Sequence, residues 1–170
     1  MSTANPHPSP SVNELRLVEL PLYSGNNKRG EIVVVEGEVQ VPFSIKRIFT
    51  LRAPAKTVRG GHAHRACSQF MICTQGVIEI NCDDGREQRS FLLDRGNVGL
   101  LLPPSMWATQ RFCRKNSVLL VVCDQPYEEQ DYIRDYTEFL GWRSINPSCG
   151  SQVKSPSPTH SVILTYSQRG

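Results

Sequence analysis

Two histidines separated by one residue, His62 and His64, are the strongest chemical signal in this sequence. In a β-strand, residues two apart face the same side, so both imidazoles are expected to point together. Adjacent imidazoles suit either metal ligation or acid–base chemistry, and the alternative is that both are ordinary strand residues. The preceding Gly60 and Gly61 admit unusual dihedrals or close backbone approach, or they mark only a turn.

The histidine pair lies in a basic part of the chain. Residues 39–78 contain no Asp or Glu but six Lys and Arg, a second acid-free stretch covers residues 95–123, and acidic residues cluster in 124–138. This sorting favours an anionic ligand, although a solvated basic face is the alternative. We expect the neighbouring Arg59 and Arg65 to disfavour imidazolium and to keep a neutral base available near pH 7.

The segments around this motif alternate between short apolar runs and turns. Candidate strands cover residues 31–36, 43–52, 68–74, 77–82, 88–93, 98–102 and 117–123. The sequence Asp83-Asp84-Gly85 indicates a hairpin turn, and only residues 128–140 have a helical pattern. About eight short strands predict an all-β fold, a cupin or jelly-roll barrel with a short C-terminal helix. We interpret the stripe of Tyr132 and Tyr136 on that helix as core or dimer packing.

The length of 170 residues favours one domain with loose ends. Residues 1–13 are polar and rich in Ser and Pro, which predicts a disordered arm. We place the barrel domain at residues 14–141 and an irregular, Ser- and Pro-rich tail at residues 142–170.

Composition also excludes several classes of function. No apolar run is long enough to span a membrane, and the N-terminus lacks the apolar stretch of a signal peptide, so we expect a cytoplasmic protein. The six cysteines are then expected to be reduced. The chain also lacks the dense basic stripe with interleaved aromatics that is typical of nucleic-acid binding.

A count of possible ligands argues against a metal ion at the histidine pair. The other two of the four histidines, His7 and His160, lie in the polar end segments. A metal-binding cupin has a Glu where this chain has Ser68 or Gln69, and a further His near Ala108. A neutral amide and a methyl group do not replace a carboxylate and an imidazole as ligands of a divalent ion, so we expect no metal.

Four blocks of the sequence, in order, resemble the dTDP-4-keto-6-deoxyglucose 3,4-ketoisomerase family, cupins related to WxcM-type domains. The blocks are Pro42-Phe43-Ser44-Ile45-Lys46-Arg47-Ile48, Arg59-Gly60-Gly61-His62-Ala63-His64, the pair Val98-Gly99-Leu100 and Pro104-Ser105-Met106-Trp107, and Asp131-Tyr132-Ile133-Arg134-Asp135-Tyr136 with Phe139. The resemblance covers roughly residues 15–140.

The resemblance implies a homodimer and a reaction without metal or cofactor on a dTDP-linked 4-keto-6-deoxy sugar. A base removes the C3 proton to give an enediolate, and a proton returned at C4 leaves a 3-keto sugar for an aminotransferase. His62 matches the base, His64 its partner, and Arg59 a group for phosphate or enediolate charge. Further candidate substrate-binding residues are Arg47, Thr50, Gln69 and Trp107. Alternatively, Arg47 pairs only with the acidic segment, and Trp107 packs in the core or the pocket wall.

The sequence departs from the family pattern at two places. The family usually carries a tyrosine, proposed to help shuttle the proton, where this chain has Phe49 and Thr50, and it commonly has Trp-His where this chain has Trp107 and Ala108. A phenyl ring cannot relay a proton, although Thr50 could hold a water molecule. A nucleotide-sugar-binding cupin without turnover, or a related sugar epimerase, is therefore the alternative function.

Overall fold

The computed structural model describes residues 9–24 and 30–145, which form twelve strands and one helix. In chain order the strands are β1 (Leu17–Glu19), β2 (Leu22–Ser24), β3 (Glu31–Val33), β4 (Arg47–Arg52), β5 (Val58–His64), β6 (Gln69–Gln75), β7 (Ile78–Asp83), β8 (Gln88–Leu93), β9 (Val98–Leu102), β10 (Trp107–Phe112), β11 (Val118–Cys123) and β12 (Tyr132–Ile133). The helix, α1, spans Tyr136–Ile145.

Strands β4 to β11 form a jelly roll of two antiparallel sheets. One sheet has the order β1-β9-β6-β11-β4 and the other the order β12-β5-β10-β7-β8, so strands adjacent in sequence lie in different sheets at most steps. β2 and β3 form a separate hairpin. The prediction of an all-β cupin or jelly-roll barrel with a short C-terminal helix is confirmed.

The core lies between the two sheets and follows from the alternation of side chains along each strand. On β7, Ile78, Ile80 and Cys82 are fully buried in this core, whereas Glu79 and Asn81 face the other side and are half-buried. Four cysteines are buried as small apolar side chains, namely Cys67, Cys73, Cys82 and Cys123.

The N-terminal segment departs from the prediction of a disordered arm over residues 1–13. Ser9 and Val12 are buried, and a 3₁₀ turn at Val12–Glu14 is capped by Ser11. The Val12 amide donates to Asp84 Oδ2 at 2.9 Å, which ties the segment to the barrel. The prediction is therefore wrong for residues 9–13, because Val12 fills the core, and residues 1–8 lie outside the described part of the chain.

The C-terminal segment differs from the predicted helix over 128–140. A 3₁₀ turn at Glu129–Asp131 leads into β12, which pairs with β5, and α1 begins only at Tyr136. Pairing with β5 buries Ile133 completely and outweighs the local helical pattern. The helix also continues through residues 142–145, so the predicted irregular tail is wrong for those four residues; residues 146–170 lie outside the described ranges. Within those ranges, no helix is long and apolar enough to cross a membrane.

Candidate active site

A cavity of about 390 Å³ is lined by residues from both sheets. Its apolar wall is formed by Phe49, Leu51, Val58, Met71, Leu119 and Val121. The polar side chains that line it are Arg59, His62, Gln69, Gln110, Tyr132 and Arg134. An apolar barrel with a few convergent polar groups is the usual form of a small-molecule site.

The backbone before His62 has a conformation that favours glycine. Gly60 and Gly61 have φ values of +79° and +73°. A Cβ at Gly60 would lie 2.8 Å from the Ala108 carbonyl oxygen and 2.5 Å from Gln110 Oε1, so a side chain is excluded by space as well as by φ. The Gly60 backbone also tends to raise the pKa of His62, against the larger effect of burial. A neutral imidazole carries one N–H and one acceptor nitrogen, so the His62 ring can take up a proton.

The two histidine rings lie side by side, as the spacing predicts, but in different surroundings. Their centroids are 5.2 Å apart and the ring planes are nearly perpendicular. His62 lines the cavity and is half-exposed, whereas His64 is buried and does not line it. Only His62 is therefore placed to meet a molecule in the cavity.

Both nitrogens of His64 are engaged by other side chains. Nδ1 lies 2.7 Å from Asp131 Oδ2, and Nε2 lies 3.3 Å from the Gln69 side-chain nitrogen. Burial tends to raise the pKa of Asp131, but the bonds from His64 and from the Ala66 amide lower it below its ordinary value. The carboxylate accepts from Nδ1–H, so Nε2 is left to accept from the Gln69 amide. His64 is held rigidly beside the ring of His62.

His62 is neutral at pH 7. Burial, followed by the neighbouring His64 and Arg134, lowers its pKa to about 4. The predicted direction is confirmed, but the cation responsible is Arg134 rather than Arg59 or Arg65. Arg65 instead pairs with Glu138 and stacks on the Trp142 ring, with its guanidinium carbon 4.6 Å from the ring centroid.

Tyr132 lines this cavity from β12, so it does not lie on the predicted helical stripe. Its ring centroid lies 4.3 Å from that of His64 and 5.0 Å from that of His62. The Arg134 guanidinium carbon lies 4.3 Å from the ring centroid, and Arg47 is near enough to interact electrostatically with the hydroxyl. The sequence signal was present in the block 131–136, but the helical pattern of that block concealed the strand.

Some of the other predicted substrate-binding residues line the cavity, and the rest lie outside it. Arg59 and Gln69 line the cavity as expected. Arg47 stands beside it, with Nη2 3.4 Å from Cys123 Sγ and its guanidinium over the rings of Phe49 and Tyr127.

Thr50 and Trp107, both predicted to bind substrate, do not line this cavity. Thr50 is exposed on the face of β4 opposite to Phe49 and Leu51, so it cannot hold a water in this cavity. Trp107 packs against Tyr136 and Phe139 of α1, because its neighbours Ala108 and Gln110 occupy the inward positions of β10.

A possible set of metal ligands lies behind the cavity. His64, Cys67 and Asp131 offer ligand atoms within 4.8 Å of one another. Two of them already satisfy each other through the bond from Nδ1 of His64, and the second Asp131 oxygen accepts from the Ala66 amide at 2.7 Å. At the positions where a metal-binding cupin carries a carboxylate and a histidine, this chain has Gln69 and Ala108, and Ala108 is paired in register with His62. Donors facing the cavity thus fit a divalent ion poorly.

Comparison with known proteins gives one consistent answer. The family model described as FdtA: WxcM-like, C-terminal matches residues 13–144. The TDP-4-oxo-6-deoxy-alpha-D-glucose-3,4-oxoisomerase of Aneurinibacillus thermoaerophilus is 33% identical over 114 residues, which are 66% of this chain and 82% of that protein.

Solved structures agree with this result. A 3,4-ketoisomerase from Helicobacter canadensis is 35% identical, with a TM-score of 0.71 over 78% of this chain and 98% of that one. QdtA is a 3,4-ketoisomerase from Thermoanaerobacterium thermosaccharolyticum, and the structure of a mutant of it was solved in complex with TDP-4-keto-6-deoxyglucose. That structure is 28% identical to this chain, with a TM-score of 0.72, and the match covers 77% of this chain and 94% of that one. A 3'-monoepimerase from Streptomyces bikiniensis is 16% identical, with a TM-score of 0.64 over 74% and 71%, which shows the shared fold alone.

Proposed function

This chain belongs to the FdtA family of WxcM-like, C-terminal domains, and we propose that it isomerises a dTDP-linked 4-keto-6-deoxyhexose to the 3-keto sugar. The observation that carries the proposal is that His62, which is neutral and has an acceptor nitrogen, lines a cavity together with Arg59 and Arg134. The relatives named as TDP-sugar 3,4-isomerases support the substrate class.

His62 acts as the general base. Its acceptor nitrogen removes the proton from C3, and the electron pair moves into an enediolate whose charge lies on O4. Arg59, on the same strand and in the same cavity, is placed to compensate that charge or to hold the diphosphate. The proton is then returned at C4, and the C3 carbonyl forms.

His64 acts on the base and not on the sugar. Its ring is fixed by Asp131 and Gln69 and packs edge-on against His62. This fixed packing holds the His62 ring in its place at the cavity. The reaction needs no metal or organic cofactor, because the acid–base groups and the cation for the enediolate all belong to the chain.

The quaternary structure that we propose is a homodimer. Four apolar side chains of the β2–β3 hairpin are exposed: Leu22, Tyr23, Ile32 and Val33. A two-stranded hairpin is marginally stable by itself in water, so burial against a second copy would stabilise it. We also propose that the enzyme acts in the cytoplasm, within polysaccharide or antibiotic biosynthesis, and that an aminotransferase uses the new C3 carbonyl to make a 3-amino sugar.

The experiment that tests the activity uses dTDP-4-keto-6-deoxyglucose in deuterated water, followed by NMR. We expect deuterium at C3 or C4 together with accumulation of the 3-keto sugar. Tight dTDP binding without exchange or conversion would instead support a non-catalytic cupin. Exchange that inverts a carbon and leaves the carbonyl at C4 would support an epimerase.

A further inference from the structure

A 3,4-ketoisomerisation moves protons between oxygens as well as between carbons. The starting sugar has a hydroxyl at C3 and a carbonyl at C4, and the product has the reverse. One proton must therefore leave O3 and one must reach O4, in addition to the transfer from C3 to C4. A single base on the carbon atoms does not account for the oxygen protons, and the inference below rests on the activity proposed above.

The cavity offers few groups for this second task. Among its described polar side chains, the arginines remain protonated, and the amides of Gln69 and Gln110 do not transfer protons near neutral pH. His64 is buried with both nitrogens engaged. The wall formed by β4 presents Phe49 and Leu51, which carry no transferable proton. Apart from His62, only the phenol of Tyr132 can both donate and accept a proton there.

The position of Tyr132 suits that task. Its ring is 5.0 Å from that of His62, so both groups face the same part of the cavity. Arg47, whose side chain is half-buried, lies close enough to Tyr132 for the guanidinium and the phenol to interact electrostatically, and its Nε has no hydrogen-bond partner among the described residues. A guanidinium at this place compensates the negative charge that forms when the phenol gives up its proton.

We propose that Tyr132 is a second catalytic residue that exchanges the oxygen protons. After His62 has taken the C3 proton, the phenol donates its proton to O4 of the enediolate. The phenolate, held by Arg47, takes the proton from O3 as the C3 carbonyl forms. Meanwhile the electrons of the C3–C4 double bond form a new C–H bond at C4 with the proton that His62 carries, and His62 becomes neutral again. Both residues end in their starting forms, and no external reactant is consumed.

The test is the Tyr132→Phe variant, which keeps the ring packing and removes only the hydroxyl. We expect turnover to fall by about 10²–10⁴-fold, the usual effect of losing an acid–base group. Solvent exchange at C3 should fall much less, because His62 is unchanged, so the ratio of exchange to turnover should rise at least about tenfold. The matched control is Tyr136→Phe, which removes a hydroxyl bonded to Asp83 away from the cavity and should keep turnover at the parent level.

Three results would overturn the assignment. Turnover of Tyr132→Phe close to that of the parent would show that the hydroxyl is not used. Equal losses of exchange and turnover would show that Tyr132 only positions other groups. A parent protein that neither exchanges nor converts the substrate would overturn the proposed function itself, and the role of Tyr132 with it.

Discussion

Asp131 and His64 form a hydrogen-bonded pair, 2.7 Å between Oδ2 and Nδ1, that links the segment before β12 to the end of β5. The other oxygen of Asp131 accepts from the Ala66 amide at 2.7 Å. The carboxylate thus satisfies two donors that are separated from it by more than sixty residues of chain. Neither His64 nor Asp131 lines the cavity, so the pair supports the site from behind.

The Asp131→Asn variant should lower both stability and turnover. An amide has one oxygen and one NH₂ group, so it cannot accept from both Nδ1 and the Ala66 amide. One donor is left without a partner, which costs about 1–3 kcal/mol in the free energy of unfolding. We expect kcat to fall by about an order of magnitude with little change in KM, because no cavity group is removed.

Asp124→Asn is the matched control for that variant. Its Oδ1 accepts from the Ser68 amide at 2.8 Å, and an asparagine oxygen can keep this bond. Denaturant unfolding and steady-state kinetics of both variants measure the difference. Equal effects of the two substitutions would contradict the supporting role of Asp131.

The His62→Asn variant should lose about 10²–10⁴-fold in turnover and should lose solvent exchange at C3, because it removes the proposed general base. Binding of dTDP should persist, since Arg59 and Arg134 are unchanged. His64→Asn should reduce turnover less, because this ring does not reach the cavity. Near-parent C3 exchange by His62→Asn would refute the assignment of the base.

Stability should depend on pH through His62. Its pKa is about 4 in the folded protein, below the 6.5 of an unperturbed histidine, so the unfolded chain binds more protons between these values. This contribution to stability is complete above pH 6.5 and is lost as the pH falls toward 4. Between pH 7 and pH 4.5 the parent should lose about 2 kcal/mol more than His62→Gln does. Parallel pH profiles of the two proteins in urea unfolding would contradict the low pKa.

Removal of metal ions should leave the activity unchanged. After treatment with a chelator and gel filtration, the protein should convert substrate at its previous rate, because the proposed mechanism uses only the His62 base and arginine cations. Loss of activity that one divalent ion restores would show that the metal-free mechanism is wrong. The buried set of His64, Cys67 and Asp131 would then be the first place to search.

Sedimentation should give a particle of twice 19.1 kDa, the mass of the chain. Ile32→Asp should shift this equilibrium toward monomer, since Ile32 is 64% exposed on the hairpin and its burial would be lost. Leu92→Asp is a suitable control, because Leu92 is also exposed but lies on β8 of the jelly roll and not on the β2–β3 hairpin. A monomer at all concentrations would contradict the proposed homodimer.

The parts of the fold that could be predicted from sequence are those set by local patterns. Alternating apolar residues and the turn at Asp83-Asp84-Gly85 were enough to predict the hairpin of β7 and β8, and the spacing of His62 and His64 predicted adjacent rings. The places of Thr50 and Trp107 outside the cavity could not be predicted, because the face of a strand changes with every residue and the sequence did not establish which face was inward. Tyr132 and Asp131 were missed because their place is set by pairing with a distant strand, which local periodicity does not reveal.

The pairing of β12 with β5 has a consequence for how the enzyme is made on the ribosome. The eight strands of the jelly roll are complete at Cys123, yet Asp131, Tyr132 and Arg134 are synthesised only afterwards. Contacts between residues so far apart in sequence form late, since the chain between them must first be ordered. A nascent chain that has closed its barrel therefore holds His62 in a pocket that still lacks Tyr132 and Arg134, and full turnover can begin only when the last strand docks.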